Sequence, residues 1–131
     1  MKIAIPSVLP GGLEAQVGAH FGHCDCYTLV DVEDGAVVKS EVIPSCAHEH
    51  GGCQQIGTRI SYNEIDMVLF FTDPGNPAYE DDLHYICRLC DQNNVPIATN
   101  LGTAEMLIQG LARGDLDWRN ILYPRNSQFL L

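Results

Sequence analysis

At 131 residues with 46% hydrophobic content, the chain is long enough to build a core without disulfides or structural metals. Seven basic against seventeen acidic residues leave a net charge of −10, a field that repels phosphate backbones and anionic lipid, so nucleic acid and membrane are excluded as expected partners. No stretch approaches the roughly 20 apolar residues of a membrane span, and MKIAIPSVLPGG, broken by Pro6 and Pro10, does not read as a signal peptide. A cytoplasmic location is therefore expected. In that reducing compartment six cysteines point to metal, cluster or redox chemistry before they point to disulfides.

In chain order, Lys2–Pro6 is a short β-branched run that reads as a strand ended by Pro6. A loop with Pro10, Gly11 and Gly12 follows. Cys26–Val32 is a second strand, Glu33-Asp34-Gly35 a hairpin turn, and Ala36–Ile43 the returning strand. Ile56 and Ile60, four apart, indicate a helix over Gln54–Tyr62. Ile65–Phe71 is nearly all apolar and reads as a strand covered on both faces.

Asn76-Pro77 has the form of a helix cap followed by proline in the first turn. Glu80, Asp81 and Asp82 then fall where the helix dipole favours anions. Leu83, Ile86, Cys87 and Cys90 make one buried stripe. Val95–Thr99 is a fifth strand, and Thr103 is expected to cap a last helix with apolar face Ala104, Leu107, Ile108 and Leu111, closed by Gly114. In the tail, Ile121–Tyr123 suggests a short extra strand. A hairpin followed by alternating helices and strands predicts one α/β domain over residues 1–131, a three-layer α/β/α arrangement around a five-stranded mixed sheet of order 3-2-1-4-5.

Chemistry concentrates between His20 and Cys53, which hold four of the six cysteines and four of the five histidines. They form two knots: His20, His23, Cys24 and Cys26, then Cys46, His48, His50 and Cys53. Soft and borderline donors of this kind suit a transition metal or a metal–sulfur cluster rather than magnesium or calcium. Cys24 and Cys26, two apart at a strand start, are expected on one face, with Cys26 in the core. The hairpin is expected to bring the knots toward one end of the sheet. Gly51 and Gly52, ahead of a helix, let backbone approach a ligand, and free helix amides can hold an anion.

An exposed loop that takes up zinc or nickel adventitiously is the plainer alternative. The Cys87–Cys90 pair has redox spacing but lies on an apolar stripe, so buried hydrophobic cysteine is the better reading. Asp73, Asn76, Asn100 and Thr103 fall where parallel strands end, either as a small-molecule pocket or as caps and turns.

Two resemblances meet near Gly51. MKIAIPS, VGAHFGHCDCYTLVDVEDG and HEHGGC, across residues 1–53, resemble the dinitrogenase iron–molybdenum cofactor biosynthesis family. That resemblance implies a ribonuclease-H-like fold, a bound or carried iron–molybdenum-type or other metal–sulfur cofactor, and a nitrogenase-type or cofactor-assembly partner. His20, His23, Cys24, His48, His50 and Cys53 sit in its matching segments.

From residue 51 onward, GGCQQIGTRIS, IDMVLFFTDPGNP and NVPIATNLGTAEMLI are similar to methylglyoxal synthase, which converts dihydroxyacetone phosphate to methylglyoxal and phosphate. In that family the GGDQQ aspartate is catalytic; here the position is Cys53, a thiol mostly protonated at neutral pH and a poor base. The family histidine after the DP motif has no counterpart, and the phosphate cradle belongs to a first half this chain lacks. Non-catalytic cofactor binding is the expected function. The alternative is a methylglyoxal-synthase-like lyase, or a sensor of a small phosphorylated ligand.

Overall fold

The computed structural model describes residues 1–18, 24–45, 51–73, 75 and 80–124, with the backbone alone at 51–53. Strand β1 (Lys2–Ser7) is followed by the hairpin β2 (Cys26–Glu33) and β3 (Ala36–Pro44). Asp34 and Gly35 both take positive φ, 52° and 78°, as a two-residue turn matched to strand twist requires. Helix α1 (Gly51–Ser61), β4 (Met67–Leu69), α2 (Glu80–Gln92), β5 (Ile97–Ala98), α3 (Leu101–Arg113) and the short α4 (Trp118–Leu122) complete the order.

One five-stranded sheet has the order β3-β2-β1-β4-β5, as the sequence predicts. The β1–β2 and β2–β3 pairs are antiparallel, while β1–β4 and β4–β5 are parallel. Pro6 does not end β1, which runs on to Ser7. Its missing N–H costs nothing there, because β4 pairs only with Ile3 and Ala4.

Two cores flank the sheet. Ile56 and Ile60 of α1 and Ile86 and Cys90 of α2 pack with Tyr27, Leu29, Val68 and Phe70 on one face. On the other, Ala104 and Leu111 of α3 meet Ile3, Val30, Val32 and Leu69. The architecture is the expected three-layer α/β/α arrangement. Helix α3 covers its face incompletely: Ile108, predicted for the buried stripe, is 46% exposed. It lines an apolar recess of about 220 Å³ with Ile5, Leu13 and Val37.

Three local expectations are corrected. The cap of α3 is Asn100, not Thr103: Asn100 is extended (φ −151°) and its side-chain oxygen accepts from the Thr103 N–H at 2.9 Å. Ile121 and Leu122 belong to α4, not to a strand. That turn is held by Arg119, its buried second residue, which donates to Asp66 Oδ1 at 3.1 Å, to Asn63 Oδ1 at 3.1 Å and to the carbonyls of Asn93 and Asn94. Finally, Cys24 and Cys26 lie on opposite faces. Cys24 packs with the α1/α2 core, whereas Cys26 Sγ faces Gly11 beside Val42. Cys24 precedes β2, so strand alternation does not reach it.

Candidate functional site

The sheet has one edge at which β1, β4 and β5 end, and described residues flanking the two His/Cys segments lie there. Ser7, the last residue of β1, pairs with Cys26, the first of β2, and Cys26 pairs with Pro44, the last of β3. The chain on either side of residues 19–23 is fixed at this edge: the Gly18 N–H donates to the Pro6 carbonyl at 2.8 Å, and Cys24 Sγ lies 3.2 Å from the Cys26 carbonyl. So is the chain on either side of residues 46–50. The Ser45 N–H donates to the Asp25 carbonyl at 3.4 Å, and Gln55 at the start of α1 donates its amide to the Pro44 carbonyl at 3.1 Å.

His20, His23, Cys46, His48, His50 and Asn76 lie outside the described residues, and Gly51, Gly52 and Cys53 are described only as the first turn of α1. Cys24 is therefore the one proposed donor whose side chain is described. It is half-buried, and desolvation pushes its thiol above the ordinary value, opposed by hydrogen bonds from Tyr27, Ser45 and the Ser7 backbone that favour the thiolate. Cys26, 1% exposed, reaches the Ser7 carbonyl at 3.6 Å and is a core residue, as the sequence suggests. Among the described residues no three His, Cys, Asp or Glu side chains gather as a metal site.

The strand-end residues share this edge. The Thr72 N–H donates to the Thr99 carbonyl, so the exits of β4 and β5 are adjacent. Asp73 and Asn100 are exposed and locally engaged: Asp73 Oδ1 accepts the Gly75 N–H at 3.0 Å, and Asn100 caps α3. Helices α1, α2 and α3 all begin here, so the positive ends of three helix dipoles face the same rim. A recess of about 1010 Å³, lined by Asp31, Glu33, Asp34, Glu64, Arg113 and Asp117 among others, lies at the opposite edge and includes none of the candidate ligand or pocket residues named from the sequence.

Cys90 is fully buried in α2, and desolvation, with Cys87 and Asp91 adding, pushes its thiol up to about 12. Cys87 is half-buried and shifted upward by the same cause. A thiol so protonated is a poor nucleophile. At pH 8, iodoacetamide followed by mass spectrometry should therefore modify Cys87 before Cys90 and leave Cys90 intact in the folded chain. Comparable labelling of both would contradict this packing. Sequence reasoning missed Arg119 altogether; its only trace was Asp66, a carboxylate inside an apolar run that needs a buried partner.

Fold and rim define a class, a three-layer α/β domain whose helix N-termini gather at the edge where its parallel strands end. Residues 1–80 match the dinitrogenase iron-molybdenum cofactor family, and the chain belongs to that family. Over 76 residues it is 54% identical to the methylglyoxal synthase of Caldicellulosiruptor saccharolyticus, a match covering 57% of this chain and 54% of that enzyme. The chain thus spans about half the length of the curated relatives it matches.

Among solved structures, it superposes on the crystal structure of PH0822 with a TM-score of 0.55 at 22% identity, over 87% of this chain and 90% of that one. The apo orange protein of Desulfovibrio gigas gives a TM-score of 0.54 at 17% identity, over 86% and 88%. Both establish the fold. No helix among the described residues is long and apolar enough to cross a membrane.

Proposed function

We propose that this chain binds or carries an iron–molybdenum-type or other metal–sulfur cofactor without catalysing a reaction. His20, His23, Cys24, His48, His50 and Cys53 supply donors, and Gly51 and Gly52 allow close backbone approach. The observation that carries the reading is the pairing of Cys26 with Pro44, which roots both His/Cys segments at one point of the strand-end rim. The amino ends of α1, α2 and α3 at that rim offset the net charge of −10 for an anionic cargo. Family membership supports a cofactor-related role. A nitrogenase-type or cofactor-assembly protein is the partner this reading proposes, and a reducing cytoplasm is where such thiols stay reduced.

We further read residues 1–131 as one folding unit, in which a cofactor-family first part meets a methylglyoxal-synthase-like second part near Gly51. The family match runs on to residue 80, through that junction. The methylglyoxal synthase likeness favours a second reading, a lyase or phosphorylated-ligand sensor at Asp73, Asn76, Asn100 and Thr103. Cys53 in place of the catalytic aspartate speaks against turnover, and so do the local commitments of Asp73 and Asn100.

Elemental analysis and a visible spectrum of anaerobically purified protein test the first reading. Stoichiometric iron, molybdenum or copper with sulfide is expected, falling to background when His48, His50 and Cys53 are replaced by alanine. A colourless protein that stays metal-free after reconstitution sinks it, and turnover of dihydroxyacetone phosphate would favour the second.

A further inference from the structure

Among the described residues the sheet has two unpaired edges, and they differ. β5 is only Ile97–Ala98, short enough to be a poor template. β3 is nine residues long, with Val37, Val38 and Val42 51%, 55% and 41% exposed. A long edge with exposed valines is a ready surface for another strand.

Which backbone groups of β3 are available follows from the ladder. Met1 and Val32 exchange both backbone bonds, at 2.9 and 2.8 Å. By antiparallel alternation the even-numbered residues of β2 face β1, and Tyr27, Leu29 and Asp31 face β3, where they meet Ile43, Glu41 and Lys39. Ser40 and Val42 therefore turn their N–H and C=O groups outward. The irregularity between Asp31 and Val32 bounds this regular segment at Val38.

That segment, Val38-Lys39-Ser40-Glu41-Val42, is complementary to itself. Laid antiparallel on a second copy with Ser40 opposite Ser40, it sets Lys39 opposite Glu41 on both sides of the axis, and Val38 opposite Val42 beyond them. Centring on Ser40 makes the outward-facing residues the hydrogen-bonded pair and the Lys–Glu positions the close, non-hydrogen-bonded ones. Moving the axis to Val42 would instead set Glu41 against Ile43 and leave Lys39 without a partner. Lys39, a charge that ordinarily guards an edge, is answered by the same strand.

We propose that two copies of this chain pair antiparallel along β3 about a two-fold axis at Ser40, joining their sheets into one. The two strand-end rims then point to opposite ends of the assembly, so each rim stays open. The proposal is independent of whether the rim holds a metal.

Sedimentation equilibrium on the full chain, up to about 200 µM because so small an interface is weak, should show mass rising from 14.4 kDa toward twice that value. K39E places two carboxylate pairs face to face, and E41K places two ammonium pairs face to face. Each alone should weaken association roughly tenfold or more, while an equimolar mixture should associate at least as well as the parent. Ser40→Pro removes an outward N–H that no strand among the described residues uses, so it should abolish association with the thermal midpoint little changed. A parent chain that is monomeric throughout the range overturns the proposal. So does a dimer indifferent to Ser40→Pro, or a K39E and E41K mixture that stays monomeric.

Discussion

Arg119→Ala is expected to destabilise the fold by about 3–5 kcal/mol, read as a drop of about 10–20 °C in Tm. The guanidinium is 1% exposed and its partner Asp66 4%. One fork therefore holds the start of β4, through Asp66, and the turns that end α1 and α2, through Asn63, Asn93 and Asn94. The other Asp66 oxygen accepts the Lys2 N–H at 2.8 Å, which extends the clamp to β1. The Tyr123 ring lies 4.9 Å from the guanidinium carbon.

Truncating Arg119 leaves a buried carboxylate without its counter-charge, and this, rather than lost packing, is where most of the cost arises. Arg119→Lys should recover little, because a single ammonium cannot reach four acceptors arranged for a planar fork. Removing both charges, as Asp66→Ala with Arg119→Ala, should cost less than the sum of the singles in thermal unfolding. Additive losses would mean that the pair is not coupled.

This clamp also marks the limit of what was legible in the sequence. The sheet order could be read because each step is local: Asp34-Gly35 dictates a hairpin, the apolar run at Ile65–Phe71 dictates a central strand, and right-handed crossovers fix its neighbours. Arg119 could not be read that way. Its acceptors lie 25 to 56 residues away, and no periodicity in the tail announces a five-residue helix held by tertiary contacts. The Cys24–Cys26 spacing misled for a related reason, since alternation governs only residues already inside a strand. Thr103 was a plausible cap by composition, but the extended backbone at Asn100 starts the helix earlier.

At the rim, the sequence named candidate donors and the hairpin next to them. The register Ser7–Cys26–Pro44 adds the common origin of both segments. Packing also separates half-buried Cys24, against the α1/α2 core, from fully buried Cys26, beside Gly11, a distinction that residue type alone could not make.

That separation yields the second large effect, on metal affinity. A thiol must lose its proton to ligate, and Cys24 begins with its pKa raised by burial, above the ordinary 9.0. Below that pKa each thiol displaced by metal costs one proton, so affinity should rise about tenfold per pH unit for every cysteine ligand. Histidine donors contribute such a slope only below their own pKa, near about 6.5. Between pH 7 and 9 the slope therefore counts thiolates alone.

If Cys24 and Cys53 both ligate, zinc or copper(I) titrations between pH 7 and 8 should show about a hundredfold gain per unit, and Cys24→Ser should halve the logarithmic slope. Cys26→Ser should leave the slope untouched, because that sulfur lies in the core facing Gly11 and the Ser7 carbonyl. A flat profile from pH 7 to 9 would assign the site to histidines alone. Equal effects of Cys24→Ser and Cys26→Ser would mean that burial, not ligation, governs both.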